Sequence, residues 1–522
     1  MISTFIHLTR LGRAGFVFAR EGVLGLVDPA PLPLSARAAL ACARLLERPS
    51  SDDKANRLSA ALTALGPTYV KLGQFLATRR DVVGAVLARD LESLQDRMPP
   101  FPQAQAEATL EAALGRKLTD IFASFGPPVA AASIAQVHRA VLLDGRVVAV
   151  KILRPGIEQR FKTDLAAFFS AARTAEAFST EGRRLRLIEV VQTLARSVAI
   201  EMDLRLEAAA LSEMTENIKD DPDFRVPTVD WDLTARDVLT LEWIDGTPLN
   251  DRAALAARGF DLPQLGRAVI QTFLRHAMRD GFFHADMHPG NLFVDRDGKL
   301  VAVDFGIMGR LGAKERRFLA EILYGFITRN YRRTAEVHFE AGYVPPQHSV
   351  DDFAQAIRAI GEPIHNRSAE DISMAKLLTL LFEVTSLFDM RTRPELLLLQ
   401  KTMVVVEGVG RSLDPKLDMW TTAEPVVRAW IERNLGPVGR LEDAAQGAGE
   451  LGRFLGQFPA LLGRAARIAD QLDVATRDGI VLAPETIAAI GQAEAHRNRS
   501  GTVALWVIAA LLALLLWHFA SK

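Results

Sequence analysis

The chain has 522 residues, 49% hydrophobic and 24% charged, with 62 basic against 63 acidic side chains. At about 100–200 residues per domain that length holds roughly two to four globular domains and excludes a lone small module. The even charge balance argues against a dedicated nucleic-acid binder, and a single cysteine, Cys42, excludes an internal disulfide or a cysteine-based zinc site and suits a reducing compartment.

Arg10, Arg13 and Arg20 interrupt the first residues, so no signal-peptide core forms. Phe5, Ile6, Leu8, Phe16 and Phe18, with these arginines interleaved, suit a helix resting on anionic lipid or on the protein's own body. Residues 31–47, 56–97 and 103–115 read as helices, with MPPFP punctuating 98–102. From about 127 the apolar period changes to two. Strands are expected over 138–143 and 146–153, around the hairpin signal Asp144-Gly145, and Pro155-Gly156 ends the second. Helical stretches follow over 157–215, a strand over 237–244 closed by Asp245-Gly246, and a helix over 262–281. A loop at 284–291 precedes a hairpin, 292–294 with 300–303, and from Gly306 the chain reads as helical to 435. Residues 436–500 read as an amphipathic helical region, and 501–520 as a membrane span. Within that span Val503–Phe519 carries only His518 as a polar interruption, with Trp506 and Trp517 near its ends. His496, Arg497 and Arg499 precede it, which places the main body in the cytoplasm at the inner membrane.

The chemistry centres on four residues far apart in the chain. Alternation puts Val147, Ala149 and Lys151 on one strand face and Val148 and Val150 on the other. A lysine on that face is costly unless a phosphate or a carboxylate meets it. Val148-Ala149-Val150-Lys151 matches the kinase pattern V-A-I-K, whose lysine pairs nucleotide phosphates and a helix glutamate. His284-Ala285-Asp286, with Asn291 five residues after the aspartate, has the spacing of a kinase catalytic loop. There Asp286 orients or deprotonates an acceptor hydroxyl, and Asn291 is a Mg²⁺ ligand. Asp304-Phe305-Gly306 follows a hairpin, and Asp304 supplies the second metal-ligating oxygen set. The order of few strands, then a loop and hairpin, then helices is that of a two-lobed phosphotransferase.

The departures are informative. No G-x-G-x-x-G precedes the hairpin; Ala130, Ala131, Ala132, Ser133, Ile134, Ala135, Gln136, Val137 and His138 stand where a phosphate loop belongs. Alanine narrows the backbone's freedom there, so nucleotide preference should differ from that of a typical kinase. No arginine precedes Asp286 and no A-P-E follows Asp304, so the platform for a peptide substrate is missing.

Tyr69-Val70-Lys71-Leu72-Gly73-Gln74 contains K-x-G-Q, and Glu201-Met202-Asp203 reads E-x-D. With these and the alanine-rich loop, the chain over roughly 25–430 resembles the UbiB family of atypical kinases, which supports ubiquinone biosynthesis. The resemblance implies an α+β, two-lobed protein-kinase-like fold. Its expected parts are a helical extension over 1–125, an N-lobe over 126–245 and a helical C-lobe over 246–435. It implies ATP and Mg²⁺ as cofactors. Lys151 would bind phosphates and pair with Glu207, Asp286 would be the catalytic aspartate, and Asn291 and Asp304 would ligate the metal. Lys71 and Gln74 would lie over the active site, with Lys71 meeting Glu201 or Asp203. Asp203 and Glu207 share a face if that stretch is helical, whereas Glu201 and Asp203 diverge. A helix parked over the site disfavours protein substrates. It leaves ATP turnover coupled to handling of polyprenylated quinone precursors in the membrane, beside other ubiquinone biosynthesis proteins. A soluble aminoglycoside- or choline-type phosphotransferase and a nucleotide-binding scaffold are the competing readings.

Overall fold

The computed structural model describes residues 2–26, 57–77, 98–365 and 394–436, with scattered positions between these stretches. The chain opens on α1 (Ile2–Arg20), and among the described residues α2 (Arg57–Leu65) and α3 (Pro67–Ala77) follow. Helix α1 buries Ala14 and Ala19 and packs on α2 and on the later helix α5 (Ile157–Phe178), so it rests on the protein's own body. Arg10 on α1 pairs with the buried Asp164 of α5, which also accepts a 2.7 Å hydrogen bond from Thr68 at the start of α3.

Helix α4 (Gln103–Leu114) precedes an antiparallel sheet in the order β1-β2-β3-β5, made of β1 (Phe122–Ala131), β2 (Ala135–Leu142), β3 (Val147–Leu153) and β5 (Val238–Glu242). Val148, Val150 and Ile152 of β3 are buried in one cluster with Ala106 and Leu110 of α4. The opposite face, with Val147, Ala149 and Lys151, is half-buried, as the alternation requires. Strand β1 begins at Phe122, so the boundary expected at 125/126 falls inside a strand, and α4 covers this sheet rather than belonging to a separate extension. The sequence hid β1 because its ten residues have no clean apolar alternation: they include Gly126, Pro127 and Pro128, and the pairing with β2 is irregular at several points.

The stretch expected to be helical over 157–215 contains α5, a short helical stretch (Thr180–Leu185), α6 (Leu187–Glu201) and α7 (Leu204–Asn217), with breaks at Ser179, Arg186 and Met202-Asp203. Asp203 is the N-cap of α7, accepting from the Arg205 backbone at 3.2 Å. A second sheet in the order β4-β9-β8-β6 joins β4 (Phe224–Arg225), β6 (Thr247–Pro248), β8 (Leu292–Val294) and β9 (Leu300–Ala302). Between β6 and β8 lie α8 (Leu262–Arg275) and β7 (Phe282–His284), which pairs with β10 (Met308–Arg310). The stretch after Gly306 thus holds one short strand before it becomes helical. Helices α9 (Ala313–Ile327), α10 (Tyr331–Glu340), α11 (Val350–His365), α12 (Pro394–Leu413) and α13 (Met419–Leu435) complete the described part. Among the described residues no helix is long and apolar enough to cross a membrane, and the expected span over 501–520 lies outside them, as does the amphipathic region from 437 on.

His338 on α10 donates from Nδ1 to the Thr334 carbonyl at 2.7 Å and meets the rings of Tyr343 and Phe353 edge-on. Burial pushes its pKa down to about 4, against the opposing carbonyl bond. The unfolded chain, with histidine near pH 6.5, therefore takes up this proton first. His338 contributes stability above that pH, lost as pH falls from about 6.5 towards 4, up to about 3 kcal/mol. Wild type should lose more thermal stability than His338→Gln between pH 7.5 and 5; equal losses would exclude the assignment.

Candidate active site

Lys151 extends from the cleft face of β3, and its Nζ stands 2.9 Å from both carboxylate oxygens of Glu207 and 2.8 Å from Asp304 Oδ1. Glu207 lies on the first turn of α7 and is buried. The Phe305 backbone amide also favours its charged form, so the Asp304-Phe305-Gly306 turn lies close to this end of α7. Burial works to lower the Lys151 pKa, but the Asp304 and Glu207 charges outweigh it and the ammonium is held well above its ordinary value. The Lys151 charge in turn holds the Asp304 carboxyl far below the usual carboxylate range. Burial pushes Glu207 up, against the pull of Lys151. Asp304 takes φ +63°, in the left-handed region that aspartate tolerates better than most residues, and half of its side chain is open to solvent.

The loop with kinase catalytic-loop spacing leaves β7 through His284. The Asp286 N–H can only donate, so His284 Nδ1 accepts it at 3.1 Å and Nε2 carries the proton to the Val303 carbonyl at 3.1 Å. Burial keeps this imidazole neutral by lowering its pKa. Asn291 is buried, and its Nδ2 donates to the Asp286 carbonyl at 3.1 Å. With its N–H committed there, the amide presents Oδ1 as an acceptor, the atom a hard cation needs. His288 Nε2 lies 3.8 Å from Asp286 Oδ2, beyond hydrogen-bond range. The donor set of one amide oxygen and one carboxylate suits Mg²⁺, which fills its shell with phosphate oxygens and water.

Lys71 on α3 pairs with Glu201 at 2.6 Å, both side chains largely buried. Its charge also contributes to the depressed Asp304 pKa, so the K-x-G-Q lysine borders the same cleft. Glu201 and Glu207 therefore serve different lysines. Asp203 does not join them: its carboxylate caps α7 and takes 2.8 and 2.7 Å bonds from Arg205. A residue at the helix break is fixed by the cap rather than by the cleft. Gln74 lies half-buried one turn beyond Lys71. Gly73 packs where a Cβ would come within 2.7 Å of Leu62 and Leu94, so the motif's glycine lets α3 approach its neighbours.

The alanine-rich segment is narrower as a loop than expected. Ala130 and Ala131 end β1, and Ala135, Gln136, Val137 and His138 begin β2, leaving Ala132, Ser133 and Ile134 as the tip. Val137 pairs with Lys151 and shares its face, but Gln136 and His138 pair with Ile152 and Val150 on the outer face. Gln136 accepts the Phe101 N–H at 3.0 Å, and His138 stacks on Phe125 with ring centroids 4.6 Å apart. The two-residue period thus removes Gln136 and His138 from the expected nucleotide contacts.

Two supports were not legible in the sequence. Thr402, buried on α12, shares its hydroxyl proton between the Leu398 carbonyl of its own helix at 2.8 Å and the Ala285 carbonyl at 3.1 Å, which brings α12 against the loop of Asp286. Arg310 on β10 donates to Glu213 of α7 at 2.7 Å. Neither residue lies in a recognisable motif, and only long-range packing pairs them.

Residues 93–338 match the family model described as the ABC1 atypical kinase-like domain, and 357–418 that described as the UbiB helical domain. The chain is 42% identical over 444 residues to the probable protein kinase UbiB of Marinobacter nauticus, covering 84% of this chain and 81% of that one. It is 42% identical over 404 residues to the probable protein kinase UbiB of Azotobacter vinelandii, covering 76% and 75%. Among solved structures, Rv3197 of Mycobacterium tuberculosis in complex with erythromycin matches at 25% identity and a TM-score of 0.47, over 76% of this chain and 98% of that one. Identity at this level over most of two full-length relatives, together with both family matches, leaves one assignment: the chain belongs to the UbiB family of ABC1 atypical kinases.

Proposed function

We propose that this chain is a membrane-anchored, Mg²⁺-dependent nucleotide phosphotransferase or ATPase that supports ubiquinone biosynthesis, acting beside polyprenylated lipid precursors and their biosynthetic enzymes. The observation that carries it is the Lys151 ammonium held within 2.9 Å of both Glu207 and Asp304, at the junction of the catalytic loop and the sheet. Glu207 orients Lys151 toward nucleotide phosphates, and Asp286 orients the attacking hydroxyl or water. Asn291 and Asp304 would hold Mg²⁺, which when bound neutralises charge on the phosphoryl oxygens. Lys71, tethered to Glu201, keeps α3 beside the cleft, which favours water or a small or lipid acceptor over a protein substrate. The apolar stretch Val503–Phe519 supports anchorage at the inner membrane, with the body cytoplasmic.

The test is ATP turnover by wild type and Asp286→Asn. The variant should lose at least about 10²-fold in kcat, the usual range for a positioned acid-base group. Full Mg²⁺-dependent turnover by Asp286→Asn would defeat the chemical reading. Deletion of the gene, with quinone profiling, tests the biosynthetic part: an unchanged quinone pool would defeat it.

A further inference from the structure

Tyr69 and Lys71 are two residues apart on α3, about 200° around the helix, so they face opposite sides. Lys71 goes to Glu201, whereas Tyr69 sets its ring edge-on to Phe168 of α5, with centroids 5.1 Å apart. On that second side a cavity of about 350 Å³ is lined by Arg10 and Arg13 of α1, Leu65 of α2, Tyr69, and Arg160 and Asp164 of α5. Arg10 and Arg13 are three residues apart and Arg160 and Asp164 four, so each pair shares a helix face. Asp164 is buried and organises the wall: one oxygen accepts from Arg10, the other from Thr68 at 2.7 Å, and Arg160 Nε stands 3.9 Å away. Arg160 is anchored in turn, with Nη2 donating to the Leu65 carbonyl at 3.0 Å. It lies over Gly66, where φ is +104° and any Cβ would collide with the guanidinium. Among the described residues, neither the Arg13 guanidinium nor the Tyr69 hydroxyl meets a hydrogen-bond or ion-pair partner. Tyr69 is only 7% exposed, and its hydroxyl feels the charges of Asp164 and of all three arginines, which puts it on the cavity side. Burial, aided by Asp164, pushes its pKa up to about 12, so the group stays an O–H donor.

We propose that this cavity binds a phosphomonoester, its phosphate held by the Arg10, Arg13 and Arg160 guanidiniums and by the Tyr69 hydroxyl. Three guanidinium charges face one carboxylate, so the lining is left positive. A phosphomonoester carries about −1.5 to −2 charge at pH 7 and three strong acceptor oxygens, which match that surplus and its several donors. A carboxylate ligand offers two oxygens and one charge, and an uncharged ligand leaves the surplus unmatched. Asp164 spends its oxygens on Arg10 and Thr68, and Arg10 still has further N–H groups to give, since a guanidinium has five. The volume lies at the lower end of small-molecule pockets, about 300–1,000 Å³, so a phosphate with a small organic group fits. The buried Tyr69 hydroxyl gains in such a ligand the partner that a buried phenol ordinarily has. The site is separate from the nucleotide reading of the cleft, because it uses neither Lys151 nor Asp304.

The experiment titrates the full chain, in phosphatidylcholine nanodiscs without nucleotide or Mg²⁺, with glycerol 3-phosphate by calorimetry. Wild type is compared with Arg13→Gln, Tyr69→Phe and, for the cleft, Lys151→Met. Arg13 is exposed and phenylalanine keeps the Tyr69 ring, so both cavity variants should fold, which circular dichroism follows. The expected result is binding by wild type, weakened about tenfold or more in Arg13→Gln and about threefold or more in Tyr69→Phe, as loss of a hydrogen bond to a charged group implies, and unchanged in Lys151→Met. Nanodiscs that also contain phosphatidic acid separate the sources of the phosphate. Loss of glycerol 3-phosphate binding there identifies a lipid headgroup as the occupant, and unchanged binding identifies a soluble ester; both support the site. Absence of binding by wild type overturns the inference, as does equal affinity in wild type and either cavity variant. Loss of binding in Lys151→Met but not in Arg13→Gln assigns the phosphate to the cleft and overturns it as well.

Discussion

Replacing Asp304 by asparagine is expected to lower Mg²⁺-dependent nucleotide turnover by about 10³-fold while leaving the fold within about 1 kcal/mol of wild type. The first effect follows from charge. Asp304 is the only carboxylate in the amide-carboxylate pair that would hold the metal, and removing one preorganised electrostatic group at a reacting phosphate costs about 10²–10³ in rate or more. The second follows from geometry. Asparagine tolerates the left-handed φ of +63° at this position. Half of the side chain is exposed, and Lys151 keeps its two 2.9 Å contacts to Glu207. Phosphate release measured beside a thermal melt separates the two effects. Turnover within tenfold of wild type would remove Asp304 from the site, and a collapsed melt would show that its role is structural.

Glu207→Leu is expected to be the most destabilising single change near the cleft, by about 3–5 kcal/mol. The carboxylate is only 6% exposed and joins β3 to α7 through Lys151. Leucine leaves Lys151 with Asp304 as its anionic partner. The ammonium should then swing fully onto Asp304 and compete with any metal there, so turnover falls together with stability. Glu207→Gln keeps the shape and an acceptor for the Lys151 ammonium, and should recover part of the stability with little of the turnover. Denaturant midpoints for the pair decide this. Equal midpoints for Leu and wild type would show that the buried pair contributes nothing to the fold.

The cleft's four central residues were legible because each sits in a local pattern that chemistry constrains. The period-two run put Lys151 opposite Val148 and Val150, and the structure keeps that division. The five-residue step from Asp286 to Asn291 is closed by an actual bond, from the Asn291 amide to the Asp286 carbonyl. The reasoning weakened where contacts join distant segments. Strand β1 was hidden by its glycine and prolines, and its presence narrowed the alanine-rich loop to three residues. Asp203 resembled a cleft residue by sequence distance, yet a helix start claimed its carboxylate.

By itself the chain order and residue chemistry determined the α+β kinase-like plan, the strand face that carries Lys151, and the existence of a helix carrying Lys71. Those features depend on spacing within a few residues, which strand and helix periods convert directly into direction. Only the folded protein decided that Lys71 meets Glu201 rather than Asp203, that Arg154 bonds the Ala132 carbonyl, and that α12 lies against the loop of Asp286 through Thr402. Each of those outcomes depends on bringing segments tens to more than a hundred residues apart within about 3 Å, and hydrogen bonds at that range are selected by packing rather than by local sequence.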